Sequence, residues 1–232
     1  MINGFYAAKS GIKSFQTSLD ITANNIANAN TQGFKAETAS FTDLVYTSAQ
    51  GAEFVAGNGS RLAATSLDTD QGGLAQDGER GFAIEGAGFF AIENAQGETV
   101  YTRTGGFAIS AEGEDSFLTL PGGGYVLDES GQHIPLENGD MRAAVQNAAL
   151  YAFPNPDALT ALGNGQYAPT EASGDAAADE VSQIRDSAME LSNVDIVSEM
   201  TRMMLAQRGI QFNMRMLQTA DELEQAVNSL RT

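Results

Sequence analysis

The residues of this chain that could do chemistry are few, and none sits in a pattern that chemistry needs. His133 is the only histidine and lies in a Gly-rich, polar stretch near Asp128 and Glu129. A catalytic imidazole requires a nucleophile or an orienting acid, and a metal-bound one requires further ligands. Acids are common throughout this region, so His133 reads as a loop histidine. Gly122 to Gly124 lacks the Lys and Ser/Thr that follow a phosphate loop and reads as a turn. Gly86 and Gly88 lack the third glycine of a dinucleotide site. Asp128 to Gln132 resembles a piece of a calcium loop, but the closing Glu of the twelve-residue frame would fall on Gly139. A carboxylate pair for glycoside hydrolysis can be drawn many ways among the twenty acids of residues 51–184, and nothing constrains the choice. Cysteine is absent, which excludes disulfides and thiolate chemistry. The expectation is a chain that is not an enzyme, with no catalytic residue, no cofactor and no metal.

What the residue types do offer is packing. Phe5, Ala8, Ile12, Phe15, Leu19, Thr22 and Ile26 follow one another at alternating spacings of 3 and 4, a heptad seam on one helical stripe. This predicts a helix over 4–28, stopped by Asn28, Asn30 and Gly33. Ile196, Met200, Met203, Gln207, Ile210, Met214 and Leu217 alternate by 4 and 3 in the same way. Leu223, Val227 and Leu230 carry that stripe on after a slip in register. The second helix is expected over 193–230, capped by Ser192 with Asp195 in its first turn. A second partial stripe of Val197, Met204, Phe212 and Met216 implies more than one packing partner. Gly209 inside this helix costs about 1 kcal/mol. Asn24, Asn25 and Asn28 are poor helix formers. They mark either a fraying helix end or polar contacts that fix register between subunits, and Gln207 inside the apolar seam could serve the same purpose.

Between the helices, short apolar runs alternate with Gly-rich turns, as in a β-rich domain. Gly88 to Ile92 and Thr99 to Arg103 flank a turn at Asn94 to Gly97 and read as a hairpin. Phe107 to Ile109, Phe117 to Leu120, Tyr125 to Leu127 and Ala148 to Phe153 are further strands. Residues 47–80 and 171–180 read as extended or flexible connections.

Charge divides the 232 residues in the same places. The formal net charge is −18, with residues 1–50 at 0, residues 185–232 at −2 and residues 51–184 at −16. Such acidity opposes nucleic acid and anionic lipid. Nearly neutral ends can approach copies of themselves, while the acidic middle does better facing solvent. No segment has the apolar length of a membrane span, and MINGFYAAKSGIKSF lacks the apolar core of a cleaved signal. A lone pair of helices buries about 1.5–3 kcal/mol per seam side chain against about 1–2 kcal/mol of backbone ordering per residue. The ends are therefore expected to be largely disordered in the monomer and to order on assembly.

Three stretches carry a resemblance. LDITANNIANANTQGFKAETASFTDLVY (19–46) resembles the N-terminal signature of flagellar rod and hook proteins, within which Asn24, Asn25, Asn28, Gly33 and Phe34 are singled out. SNVDIVSEMTRMMLAQRGIQFNMRMLQTADELEQAVNSLR (192–231) resembles their C-terminal signature, and GFAIEGAGFFAIENAQGETVYTRTGGFAISAEGE (81–114) is similar to their central β segment. The matches occur in family order. The resemblance implies an α+β fold with N- and C-terminal helices pairing as a coiled coil and a central β-rich domain. It implies segments at 1–46 (N-terminal helix and signature), 47–80 (extended linker), 81–180 (central domain) and 181–232 (C-terminal helix). It further implies a structural subunit of the basal-body rod that polymerises helically with itself into a drive shaft, transmits torque to the hook and encloses the export channel. Other rod and hook proteins and the flagellar type III export apparatus are the implied partners, and export would proceed without a cleaved signal. The chain length favours rod over hook protein. A non-polymerising coiled-coil adaptor is the alternative from the seams alone, and a cell-wall-acting enzyme is the weakest reading.

Overall fold

The computed structural model describes residues 2–44, 47–48, 55–76, 81–112, 115–136 and 140–230. The chain divides into two units. One comprises Met1–Ala27, Glu37–Ser66 and Asp195–Thr232, and the other Asn28–Ala36 and Leu67–Val194.

The first unit begins with helix α1 (Ile2–Ala27), whose end is set by a turn in which Thr31 N–H donates to Asn28 O at 3.0 Å. Strands β1 (Glu37–Asp43), β2 (Thr47–Ser48), β3 (Val55–Ala56) and β4 (Ser60–Leu67) follow. β1 pairs with β4 and β2 with β3. The expected connection 47–80 therefore carries paired strands. An isolated two-stranded ribbon is marginal in water, and this one is tied to α1. Ser14 Oγ donates to Ser60 O at 3.3 Å, and Ser60 N–H donates to Ser10 Oγ at 3.3 Å.

The second unit carries β5 (Leu74–Gln76), β6 (Phe82–Glu85), β7 (Phe89–Glu93), β8 (Thr99–Thr102), β9 (Ala108–Glu112), β10 (Asp115–Thr119) and β11 (Tyr125–Val126). After helix α2 (Met141–Gln146) come β12 (Leu150–Ala152), β13 (Thr160–Gly163), β14 (Gln166–Ala168), β15 (Ala177–Ala178), β16 (Gln183–Asp186) and β17 (Ala188–Glu190). The main sheet runs β13-β14-β8-β7-β11-β10-β9, with β12 pairing both β7 and β15. The β7–β8 hairpin forms as expected. Asn94 N–H bonds Glu98 O at 2.9 Å, and Gly97 sits at φ +80°, a conformation that favours glycine. The expected turn between β9 and β10 falls on residues 113–114, outside the described residues.

Side chains on β7 alternate between two cores, because successive residues of a strand face opposite ways. Phe90 and Ile92 join Phe82, Val100, Phe107, Leu118 and Val126 on one face. Phe89 and Ala91 join Tyr101, Phe153, Leu159 and Tyr167 on the other. Burial on both faces explains why FFAI is a continuous apolar run. α2 closes the first core with Ala144 and Val145, and is capped by Asp140, whose side chain accepts from Arg142 N–H at 3.0 Å. β16 pairs with β6 and β17 with β5, so the chain returns to the body just before its last helix.

Helix α3 (Ile196–Ser229) completes the first unit. Its cap is Asp195, whose carboxylate accepts from Val197 N–H at 3.0 Å, and not the expected Ser192. The Ser192 hydroxyl is taken by Val194 N–H at 3.3 Å in the preceding turn. α1 and α3 run antiparallel, Gly11 opposite Asn213 and Phe15 opposite Gly209. A Cβ on Gly209 would stand 2.5 Å from the Phe15 ring, and one on Gly11 2.9 Å from Asn213 Oδ1. The glycine that weakens α3 as a helix is thus the notch that admits Phe15. Each step up α1 is a step down α3, which brings the start of α1 level with about residue 222. The last turns of α3 run on past it.

Candidate assembly surfaces

The expected seams divide between packing and exposure. On α1, Ala8 and Thr22 are buried, Ile12, Leu19 and Ile26 are half-buried, and Phe5 and Phe15 are exposed. On α3 the least exposed line is Glu199, Met203, Ala206, Ile210, Asn213, Leu217 and Ala220. It shares Met203, Ile210 and Leu217 with the expected seam but replaces Met200, Gln207 and Met214 by residues one position earlier. The register moves because Ala206, Gly209 and Asn213 allow close approach, which the larger neighbours do not. Ile196, Met200, Gln207 and Met214 are exposed, as are Val197, Met204, Phe212 and Met216. Leu223, Val227 and Leu230 lie on the stretch that outruns α1 and are exposed as well.

Within the signature segment, Asn25 is fully buried and its amide behaves as a peptide group. Nδ2 donates to Glu37 O at 2.8 Å, and Oδ1 accepts from Glu37 N–H at 2.9 Å. Both ends of the amide are spent within the chain, joining α1 to β1. Asn24 is exposed, and Asn28 accepts from Thr31 Oγ1 at 3.1 Å in the turn after α1. Gly33 has φ +65°, and a Cβ there would lie 2.8 Å from Thr104 N. Its N–H donates to Glu190 O at 2.9 Å. Phe34 is half-buried, and its carbonyl accepts from Asn193 N–H at 3.4 Å.

Sequence reasoning missed a buried, heavily bonded polar group of the second unit. Lys35 Nζ lies 2.7 Å from Glu190 Oε1, and Arg103 Nη1 lies 3.5 Å from Glu190 Oε2, all three side chains at most 1% exposed. Glu190 Oε1 also accepts from Gly72 N–H at 2.9 Å, and Lys35 Nζ donates to Asp70 O at 2.7 Å. The Arg103 guanidinium stacks over Phe89 with 4.7 Å to the ring centre, and its Nη1 donates to Gly86 O at 2.9 Å. Arg103 Nε has no hydrogen-bond partner among the described residues. Burial pushes the Lys35 ammonium and the Arg103 guanidinium below their usual values, and Glu190 opposes both shifts. Asn193 works alongside. Its Oδ1 accepts from Ala36 N–H at 2.8 Å and its Nδ2 donates to Asp68 O at 2.7 Å. The segments leaving α1, leaving β4 and leading to α3 are thereby held on one body.

His133 Nε2 lies 2.8 Å from Glu93 Oε2, and its ring stacks on Tyr125 with centres 4.4 Å apart. Asp128 and Glu129, its expected neighbours, are not its partners. Among the described residues no group of three His, Cys, Asp or Glu side chains could hold a metal ion. No described helix is long and apolar enough to cross a membrane.

Three family models match the chain in order. They are "Flagella basal body rod protein" over residues 5–35, "Flagellar hook protein FlgE/F/G D1 domain" over 83–147 and "Flagellar basal body rod FlgEFG protein C-terminal" over 185–230. Each matched stretch contributes one member of the buried trio Lys35, Arg103 and Glu190. Full-length relatives agree. The flagellar basal-body rod protein FlgG of Bacillus subtilis is 31% identical over 267 residues, covering 100% of both chains. That of Agrobacterium fabrum is 33% identical over 255 residues, covering 95% of this chain and 96% of its own. The rod protein FlgF of Mesorhizobium japonicum is 32% identical over 245 residues, covering 99% of this chain and 98% of its own.

Proposed function

Since this chain belongs to the flagellar basal-body rod protein family, we propose that it polymerises helically with copies of itself, alongside other rod and hook proteins. It is a structural subunit of the flagellar rod, in the basal body. In this reading α1 and α3 pair as a coiled coil that orders fully on assembly. The resulting shaft transmits torque to the hook and encloses the export channel. Subunits reach it through the flagellar type III apparatus without signal cleavage.

One observation carries the polymerisation. α3 keeps Met204, Phe212 and Met216 exposed at 54%, 63% and 62%, on the side away from its packed line. An apolar stripe of this length on a helix already packed along another face calls for a further partner. A closed, non-polymerising adaptor would bury that stripe in a small fixed oligomer. An open filament arises when contacting patches differ and the operation does not close.

The test is substitution on the stripe. Met204→Asp with Phe212→Asp should leave the circular-dichroism melt close to wild type, because neither side chain lies on the packed line. It should also abolish the long assemblies that the wild-type chain forms at high concentration, read by sedimentation and electron microscopy. Wild-type protein that stops at a small closed oligomer would instead support the adaptor.

A further inference from the structure

The first unit contains a cleft of about 410 Å³ between α1 and β4, with Lys13 and Arg61 beside an apolar patch of Leu44 and Leu62. The hydroxyls around it are already committed. Ser60 Oγ donates to Ser14 Oγ at 3.1 Å, and Ser14 and Ser10 bond the Ser60 backbone. The two cations are not committed. Lys13 and Arg61 are exposed, and neither makes an ion pair among the described residues. In a chain with thirty acids, a cleft with two unanswered cations and no acid among the described residues of its lining is an exception.

The acids lie elsewhere. The second unit holds five basic and 21 acidic side chains, a net of −16, whereas the first unit nets −2. Two of those five cations, Lys35 and Arg103, are buried against Glu190. A third, Arg185, already lies 4.0 Å from Glu85. The second unit therefore has few cations to offer another copy of itself, and copies of it brought together repel. Cations for its carboxylates have to come from first units, where Arg202 is engaged by Glu199 at 2.7 Å.

We infer that the cleft between α1 and β4 is a docking site for the acidic second unit of another copy of this chain, with Lys13 and Arg61 meeting its carboxylates over the Leu44 and Leu62 patch. This rests on the self-polymerising reading above and adds a contact that the α3 stripe does not supply. The stripe joins apolar to apolar. The cleft joins unlike units, which gives the assembly contact a direction.

Lysine is scarce enough to read the contact directly. The chain has three lysines, at 9, 13 and 35, and Lys35 is buried. Full-length protein is mixed as equal parts ¹⁴N and ¹⁵N copies, assembled, and treated with a zero-length carbodiimide that joins amines to carboxylates. The expected product is a mixed-isotope crosslink from Lys13 to an acid within residues 67–194. Lys13→Glu with Arg61→Glu should raise the critical concentration for assembly at least tenfold with an unchanged thermal melt, and Lys13→Arg should assemble as wild type. Lys13 crosslinks confined to one copy, or reaching only acids of residues 195–232, would overturn the docking site. So would normal assembly of the double Glu variant while the α3 stripe variant fails, which leaves polymerisation standing without this contact. A wild-type chain that forms no polymer removes both.

Discussion

Glu190 answers two buried cations at once, so its loss leaves both without a counter-charge. Glu190→Gln keeps the shape and removes the charge. It should cost about 3–5 kcal/mol in denaturant unfolding of the full chain, the range for stripping one partner from a buried ion pair. Replacing Lys35, Arg103 and Glu190 together by Met, Met and Leu should recover most of that loss, since an apolar trio needs no desolvation of charge. A smaller effect with a pH signature belongs to Asp179. Its carboxylate accepts from the Ser182 hydroxyl and from Val181 N–H at 2.9 Å, and Ser182 Oγ accepts from Gly88 N–H at 3.0 Å. The Ser182 hydrogen bond, with those from the backbone, holds its pKa below the ordinary carboxylate value. Because the folded value is depressed, the stabilisation is complete above the ordinary value and fades as pH falls through the folded one. Asp179→Asn should therefore be less stable than wild type at neutral pH, and the gap should close in melts taken from about pH 5 down to about pH 2. Neither role was legible in the sequence. Lys35 and Glu190 stand 155 residues apart, and each reads as an ordinary surface charge until the chain is folded.

At the level of elements, the helices were legible because a period of 3.6 residues repeats many times along each. α1 was expected over 4–28 and spans Ile2–Ala27. The register of α3 was less so. Its apolar residues are spread over two stripes, so hydrophobicity alone could not choose the packed one, and the deciding residues were the small ones, Ala206 and Gly209. The strands β6 and β16 pair 82–85 with 183–186, a distant partnership that leaves no local mark. Asn25 shows the same limit from the other side. Its type flagged it, but whether it served its own chain or a neighbour depended on Glu37 being within reach. Asn25→Asp keeps the size and turns a donor into a second acceptor facing Glu37 O, leaving a buried acceptor unmet at about 1–3 kcal/mol. Hydrogen exchange should then speed up in residues 37–43 while the β7–β8 hairpin keeps its protection. Equal protection of β1 in both proteins would show that the ribbon does not depend on this tie.

Across the whole molecule, charge and core divide the labour. Outside the Lys35–Glu190–Arg103 knot, the second unit carries three basic and twenty acidic side chains. Repulsion between such units acts over a body width, whereas contacts at the cleft act at ion-pair distance and are screened less. Raising salt from about 10 mM to about 100 mM shortens the screening length from about 30 Å to about 10 Å. That change should lower the critical concentration for assembly, which light scattering across a salt series would check. The knot also has a consequence in time. A chain made from its N-terminus delivers Lys35 first, then Arg103, and Glu190 last of the three. Until then two cations have no acid to meet them inside the body, and β5 and β6 have no partners in β17 and β16. Closing the body thereby waits for residues 183–190, whichever of its other strands have already formed.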